Sequence, residues 1–342
     1  MHNNSPETKE EYIRYIQTLA EAQDVSIKQV KHIMQTEPDV ALWEHHLLEA
    51  QTNPDIDYLK NKYMHCHLEV TAKPIGDPLV AVKQAILGDI AGSVHEFTPN
   101  IEPLPDLFGD EKYYTDDTVL SVATMKAIQE NASTPNFAKW YRKMFRKYPH
   151  AGYGSGFRGW AMQRKRLFKK LKKGQSHGNG CLMRIGYIPF VYPYYTAVDK
   201  AIESCLTSHC NISSVKAVIL YITCCYMAMY GMQKEHIRKY IKQAYINNNG
   251  GYVFGATLEE SRQLNEHHPQ NVSIKATYAL CESIDILTDP NVNSFIDYLY
   301  KAIEIGGDVD TICAIGGPLC YAMLKTEDFL TNNILEKFNV PL

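Results

Sequence analysis

Two short segments hold the densest oxygen-donor chemistry in the chain: Tyr114-Thr115-Asp116-Asp117-Thr118 and Gly306-Gly307-Asp308-Val309-Asp310-Thr311. Each offers two carboxylates and a threonine hydroxyl within one turn. Hard oxygen donors at that density suit Mg²⁺, Mn²⁺ or Ca²⁺ and not zinc. Either cluster alone is also an ordinary helix start, since Thr115 is a good N-cap and the helix dipole favours acids in a first turn. Two features weigh toward chemistry. Capping needs one acid, not two beside a hydroxyl, and Gly306-Gly307 lets the backbone turn sharply ahead of the second pair. Brought together by the fold, the two clusters would make a two-metal site.

Further segments are suggestive only in company. Gly88-Asp89-Ile90-Ala91-Gly92-Ser93-Val94-His95-Glu96 places two glycines four apart, on one helix face, where they permit close packing. Its plain reading is helix packing with two solvated acids; its functional reading puts Glu96 at a helix end facing a site. Ser176-His177-Gly178-Asn179-Gly180 is a glycine loop ahead of an apolar, helical-looking pattern, which suits a phosphate or ribose. His209, in Thr207-Ser208-His209, is by itself an ordinary surface histidine. The basic stretch from Arg158 to Lys173 is a solvated helix face or a rim that attracts anions.

The elements that must position these residues are helices. Apolar residues recur at three and four, as in Leu79, Val82, Ala85, Ile86 and Ile90, or Val119, Val122, Ala123, Ala127 and Ile128. Cap signals punctuate them: Ser5-Pro6-Glu7, the capping box Ser26 to Gln29, Thr134-Pro135 and Asp289-Pro290. Strand-like alternation is nearly absent. We expect an all-α protein of a dozen or more helices. The Pro- and Gly-bearing stretch Thr71 to Pro78 marks a boundary, with a helical extension at 1–75 and a core domain at 76–342.

Composition narrows the function. A formal net charge of −3 gives no case for nucleic-acid or membrane binding. The polar start from Met1 to Gln17 is no secretory signal, and Ala217 to Met232 reads as a buried core helix. Nine scattered cysteines without a CxxC pair point to a reducing, cytoplasmic setting.

The order of these segments resembles the ADP-ribosylglycohydrolase family of all-α hydrolases. The family's G-D-x-x-G-x-x-x-E matches Gly88, Asp89, Gly92 and Glu96; T-D-D-T matches Thr115 to Thr118; G-N-G-x-x-M-R matches Gly178, Asn179, Gly180, Met183 and Arg184; and G-G-D-T-D-T matches Gly306 to Thr311 except at Val309. The resemblance spans about residues 77 to 325. It implies two divalent cations, Mg²⁺ foremost and Mn²⁺ as the substitute, held by Thr115, Asp116, Asp117, Asp308, Asp310 and Thr311. It implies Glu96 as a catalytic or gating acid, working with Asp117 and Asp310, and ADP-ribose contacts from Ser176, Gly178, Asn179 and Gly180. The family's Thr-His pair is interrupted here by Ser208: either the one-residue insertion restores His209 to that substrate-binding place or the role is lost. Tyr153, in Gly152 to Phe157, is a candidate for stacking on adenine.

The activity so implied is metal-dependent removal of ADP-ribose from a modified protein. Residues 1–75 fall outside the resemblance. Their amphipathic patterns, Tyr12, Ile13, Ile16, Leu19 and Ala20, then Leu42, Leu47, Leu48 and Ala50, must be buried against the core or a partner. Bacterial immunity proteins against ADP-ribosyltransferase toxins look similar, which makes 1–75 a candidate arm for a cognate transferase. The alternative function is a binding protein that inhibits a transferase through that arm. On either reading the chemistry lies beyond the arm, and a chain starting near Lys73 is expected to keep it.

Overall fold

In this computed structural model the described residues are 8–64, 68–96, 106–163, 174–245, 274–325 and 331–342. They form fifteen α-helices and no sheet. In chain order these are α1 (Lys9–Ala22), α2 (Ile27–Thr36), α3 (Trp43–Ala50), α4 (Ile56–Tyr63), α5 (Pro78–Gly92), α6 (Asp116–Gln129), α7 (Thr134–Lys147), α8 (Ser155–Ala161), α9 (Tyr194–Cys205), α10 (Ile212–Met229), α11 (Lys234–Ala244), α12 (Ala276–Leu287), α13 (Phe295–Ile305), α14 (Val309–Leu324) and α15 (Thr331–Lys337). The all-α expectation holds.

Local signals explain many of the boundaries. Ser26 and Gln29 form the expected capping box of α2. Asp77 caps α5, with Pro78 at its first position. Three signals lie elsewhere than expected. Thr134 is the first residue of α7, whose N-cap is Ser133. Asp289-Pro290 sits in the turn after α12, and α13 is capped instead by Ser294 with Asp297. The box at the chain's start is Thr8 with Glu11, while the Ser5-Pro6-Glu7 signal lies outside the described residues.

The centre is a pair of apolar helices, α5 and α14, with the most extensive contact among the described helices. Both are buried nearly all round, so their sequences carry no stripe. Glycine makes their approach possible. A Cβ on Gly88 would lie 2.2 Å from the Cys313 carbonyl oxygen, and one on Gly92 only 2.4 Å from the Asp310 Cα. Around this pair pack α6, α10, α12 and α13. The α10 helix is long and apolar enough to cross a membrane, but 94% of it is buried inside the fold, as a core helix is.

The N-terminal helices α1 to α4 belong to the same apolar cluster, through Ile16, Ala20, Val30, Trp43, Leu47 and Leu59. Their polar anchors are also buried. Asp24, in a left-handed turn at φ 58°, accepts from Lys216 on α10 at 2.9 Å, from Lys62 at 2.8 Å and from the Tyr63 hydroxyl. Lys60 pairs with Asp199 on α9 at 2.6 Å and lies over the Tyr195 ring. Of the arm's large apolar residues, Tyr15, Ile27, Leu42, Leu48, Val70 and Ile75 remain exposed among the described residues.

Candidate active site

The site is built where α5, α6 and α14 meet. The two acidic clusters, almost two hundred residues apart in sequence, touch: the Thr311 hydroxyl donates to Asp117 Oδ2 at 3.3 Å. Thr115 is the N-cap of α6, as its type suggests, and its hydroxyl also donates toward Asp117 Oδ2 at 3.2 Å. Asp308 is the N-cap residue of α14, yet its side chain caps nothing. It accepts instead from Asn179 Nδ2 of the glycine loop at 2.6 Å. Ahead of it Gly306 and Gly307 lie at φ 79° and 86°, the left-handed turn that only glycine adopts without strain.

Two groups of three carboxylates have oxygens within 4.8 Å of one another: Asp89 with Asp117 and Asp310, and Glu96 with Asp308 and Asp310. They share Asp310. Asp116 belongs to neither group. It is half-buried at the rim, where its Oδ1 would be 3.4 Å from a Cβ on Gly152. Val309 is fully buried and turned into the core, away from ligand work.

Asp89 is the residue whose part the sequence hid. Expected as a solvated acid, it is fully buried. It accepts from the Thr115 and Thr118 backbone N–H groups at 2.8 and 3.0 Å and from the Thr115 hydroxyl at 2.8 Å. It thereby fixes the start of α6. Its signal was its place between Gly88 and Gly92, which buries that helix face against α14.

The electrostatics are those of crowded anions. Burial first, and then neighbouring carboxylates, push Asp116, Asp117 and Asp310 well above the usual carboxylate range. Burial raises Asp308 and Asp89 against the hydrogen bonds they accept. Glu96 is exposed at the mouth and raised by partial burial, Asp308 and Asp89. Asp117 Oδ1 is buried with no hydrogen-bond partner. A buried, unpaired carboxylate oxygen among other carboxylates is costly without a cation. The donor set around it is all oxygen, so these residues fit hard divalent ions.

Beside this cluster the glycine loop lies half-buried. It does not open an α-helix, as its sequence suggested. Asn179 to Cys181 form one 3₁₀ turn, because the loop is zipped to its neighbours instead. Asn179 N–H donates to the Ile274 carbonyl at 2.8 Å, and Ser176 N–H to the Ser208 carbonyl at 3.1 Å. His209 backs the loop, buried, with Nε2 at 3.5 Å from where a Cβ on Gly180 would stand. Burial, then Arg184 and His177, hold its imidazole well below its ordinary value, hence neutral. We assign its tautomer from a relay. Arg184 donates to Ser208 Oγ at 3.0 Å, and Ser208 Oγ lies 2.8 Å from His209 Nδ1, to which we assign the hydroxyl proton. That arrangement puts the imidazole N–H on Nε2, toward the loop. The intervening Ser208 is what orients His209.

Tyr153 is not available for stacking. It is 3% exposed, with its ring stacked on Phe157 at 5.3 Å. Arg158 lies on α8, while residues 164–173 of the basic stretch fall outside the described residues.

Comparison with known proteins agrees with the motifs. The family model "ADP-ribosylglycohydrolase" matches residues 85–336. The human ADP-ribosylhydrolase ARH3 is 23% identical, over 70% of this chain and 82% of its own. The mouse ADP-ribosylhydrolase ARH3 is 26% identical over a shorter stretch, 44% of this chain. A solved structure described as an ADP-ribosylglycohydrolase-related protein complex shares the fold, with a TM-score of 0.54 at 18% identity over 78% of this chain. With its site at the meeting of α5, α6 and α14 and most of its length within the family match, the chain belongs to the ADP-ribosylglycohydrolase family and is a glycohydrolase.

Proposed function

We propose that this enzyme removes ADP-ribose from a modified protein, using two divalent cations, Mg²⁺ foremost, held by Thr115, Asp116, Asp117, Asp308, Asp310 and Thr311, with Asp89 as a seventh oxygen donor. The supporting observation is the contact between the two acidic clusters around the unpartnered Asp117 Oδ1. When bound, the ions supply charge neutralisation and a grip on the ribose hydroxyls next to the scissile bond.

The chain's own residues do the rest. Asp308, oriented by Asn179, and Asp310, shared between the two carboxylate groups, keep the donors converged. The hydrolysed bond joins ribose C1″ to the acceptor and breaks through an oxocarbenium-like state. Water supplies the hydroxyl at C1″ and a proton leaves with the acceptor. Glu96, at the mouth with a raised carboxyl, is assigned that proton transfer. Ser176, Gly178, Asn179 and Gly180 are assigned to the diphosphate, with the Ser176 hydroxyl as a donor, since the Ser176, Gly178 and Asn179 N–H groups are spent on Ser208, Ser176 and Ile274; neutral His209 gives its Nε2–H to the same region.

The division of labour is part of the proposal: residues 76–342 carry the chemistry, and residues 1–75 form the added helical arm. The exposed face of that arm, with Ile27, Leu42 and Leu48, is the surface we assign to a cognate transferase if the enzyme serves as an immunity protein. Incubation with arginine- and serine-ADP-ribosylated proteins, with and without EDTA, tests the activity. Release of ADP-ribose that EDTA abolishes is the expected result. Substrates left intact in Mg²⁺ and in Mn²⁺ would leave the inhibitor reading in its place.

A further inference from the structure

The N-terminal helices meet the residues behind the glycine loop. The link is one short turn, residues 51–53, between α3 and α4. The Gln51 carbonyl accepts from Ile212 N–H at 2.9 Å, and the Thr52 carbonyl lies 3.7 Å from the Cys210 thiol that donates to it. Those two contacts bracket Asn211, the N-cap of α10, and His209 is two residues before it. Asn211 Oδ1 caps the helix by accepting from Ser214 N–H at 2.9 Å, while its Nδ2 donates to the Ser176 carbonyl at 2.6 Å. Cys210 N–H donates to the Gly174 carbonyl at 2.8 Å, and Gly174 N–H to Thr207 at 3.1 Å. The glycine loop is therefore hung from residues 207–211, and that turn is held from behind by 51–53.

The 51–53 turn is itself pinned by glutamines of the arm. Gln51 Nε2 donates to Gln23 Oε1 at 2.7 Å, and Gln29 Nε2 to the Asn53 carbonyl at 2.8 Å. Asp24 fixes the same end of the arm to α10 through Lys216. A continuous series of hydrogen bonds thus runs from α1 and α2 to the loop beside His209.

We propose that the N-terminal helices are a positioning element for the ADP-ribose-binding side of the site, with Gln29 and Gln51 as positioning residues that act through the 207–211 turn. The inference rests on the assignment of Ser176, the glycine loop and His209 to substrate binding. It separates two functions by structure: α1 to α4 set substrate affinity, while α5, α6 and α14 hold the metal-binding carboxylates. On this proposal a chain starting near Lys73 would keep the carboxylate cluster but bind ADP-ribose more weakly than the full chain.

The test is the full chain carrying Gln29→Glu and Gln51→Leu. Glutamate at 29 keeps the acceptor that caps α2 but loses the donor to Asn53, and leucine at 51 releases Gln23. Calorimetry with ADP-ribose and, separately, with Mn²⁺ reads the two functions. The expected result is an ADP-ribose Kd weakened about fivefold, with KM raised in step, as the loss of one to two net hydrogen bonds would give. The Mn²⁺ Kd and kcat stay within about twofold, and amide exchange at Ile212 quickens. The single Gln29→Glu variant shows the same direction more weakly if the pair folds poorly. An ADP-ribose Kd that does not move, with a lowered Tm, would reduce the arm to a merely structural role. Wild-type protein that binds no ADP-ribose at all overturns the site assignment, and this inference with it.

Discussion

Asp117 carries the sharpest contrast in the molecule. One of its oxygens collects hydroxyls from Thr115 and Thr311, and the other is buried with no partner. On the proposed function, a bound cation would satisfy that oxygen and relieve the repulsion among Asp89, Asp116, Asp308 and Asp310. Replacing Asp308 by Ala should therefore cost about 10²–10³ in kcat/KM, the scale of losing one group that stabilises charge in the transition state. It should also abolish the metal-dependent rise in Tm, worth about 2.7 kcal/mol in wild type when metal stands at a hundred times its Kd. Steady-state assays beside thermal melts in Mg²⁺ and in EDTA check both. Val309→Thr is a control at the same turn. With its side chain buried in the core, it should change kcat by less than about twofold and cost only a hydroxyl's burial. His209→Ala should weaken ADP-ribose binding about tenfold, and Ser208→Ala should do so in part, because it removes the relay that sets the histidine's tautomer. An unchanged affinity in His209→Ala, read by calorimetry, would take His209 out of the site.

At the scale of elements, α5 against α14 is the device that brings a third carboxylate to the two clusters. Gly92 sits on the Asp310 backbone, so Gly92→Ala must drive apart the helices that carry Asp89 and Asp310. We expect a loss of about 2–3 kcal/mol by denaturant unfolding, with a larger drop in kcat than the stability change alone gives, since the displaced atoms belong to the site. Much of this was legible in advance. The spacing of Gly88 and Gly92 announced a close contact, and Thr115 announced its cap. Asp89 was misjudged, because a carboxylate on a helix is ordinarily solvated and only tertiary contact with Thr115 and Thr118 makes it an internal acceptor. The glycine loop was misjudged for a related reason. Its hydrogen bonds go sideways to Ser208 and Ile274, long-range partners that no local pattern encodes, so no helix starts there.

For the whole molecule, the arm and the core meet through buried ions as well as apolar surface. Asp24 shows the balance: burial pushes its carboxyl up, but Lys216, Lys62 and Tyr63 outweigh this and hold it below its ordinary value. A carboxyl depressed in the folded state contributes stability that is full above the unfolded value near 3.9 and is lost as pH falls through the lower folded value. Asp24→Ala should therefore destabilise by about 3–5 kcal/mol near neutral pH, because it strands Lys216 in a buried site. The penalty should shrink in acid, as unfolding curves at neutral and low pH will show. The amphipathic patterns of residues 12–20 and 42–50 foretold an apolar face, but not which surface covers it; α1, α2 and α3 pack on one another, and α4 packs on α10. What unites the scales in the proposed function is a set of oxygen donors that would hold metal beside a separately held loop that would take the substrate. The most direct measurement is Mn²⁺ bound per chain at equilibrium, with release of ADP-ribose from a modified protein followed at each occupancy. The account predicts about two ions per chain, activity that rises with occupancy, and loss of both in Asp308→Ala. Full activity in metal-free EDTA buffer, or wild-type protein that binds no Mn²⁺, would contradict it.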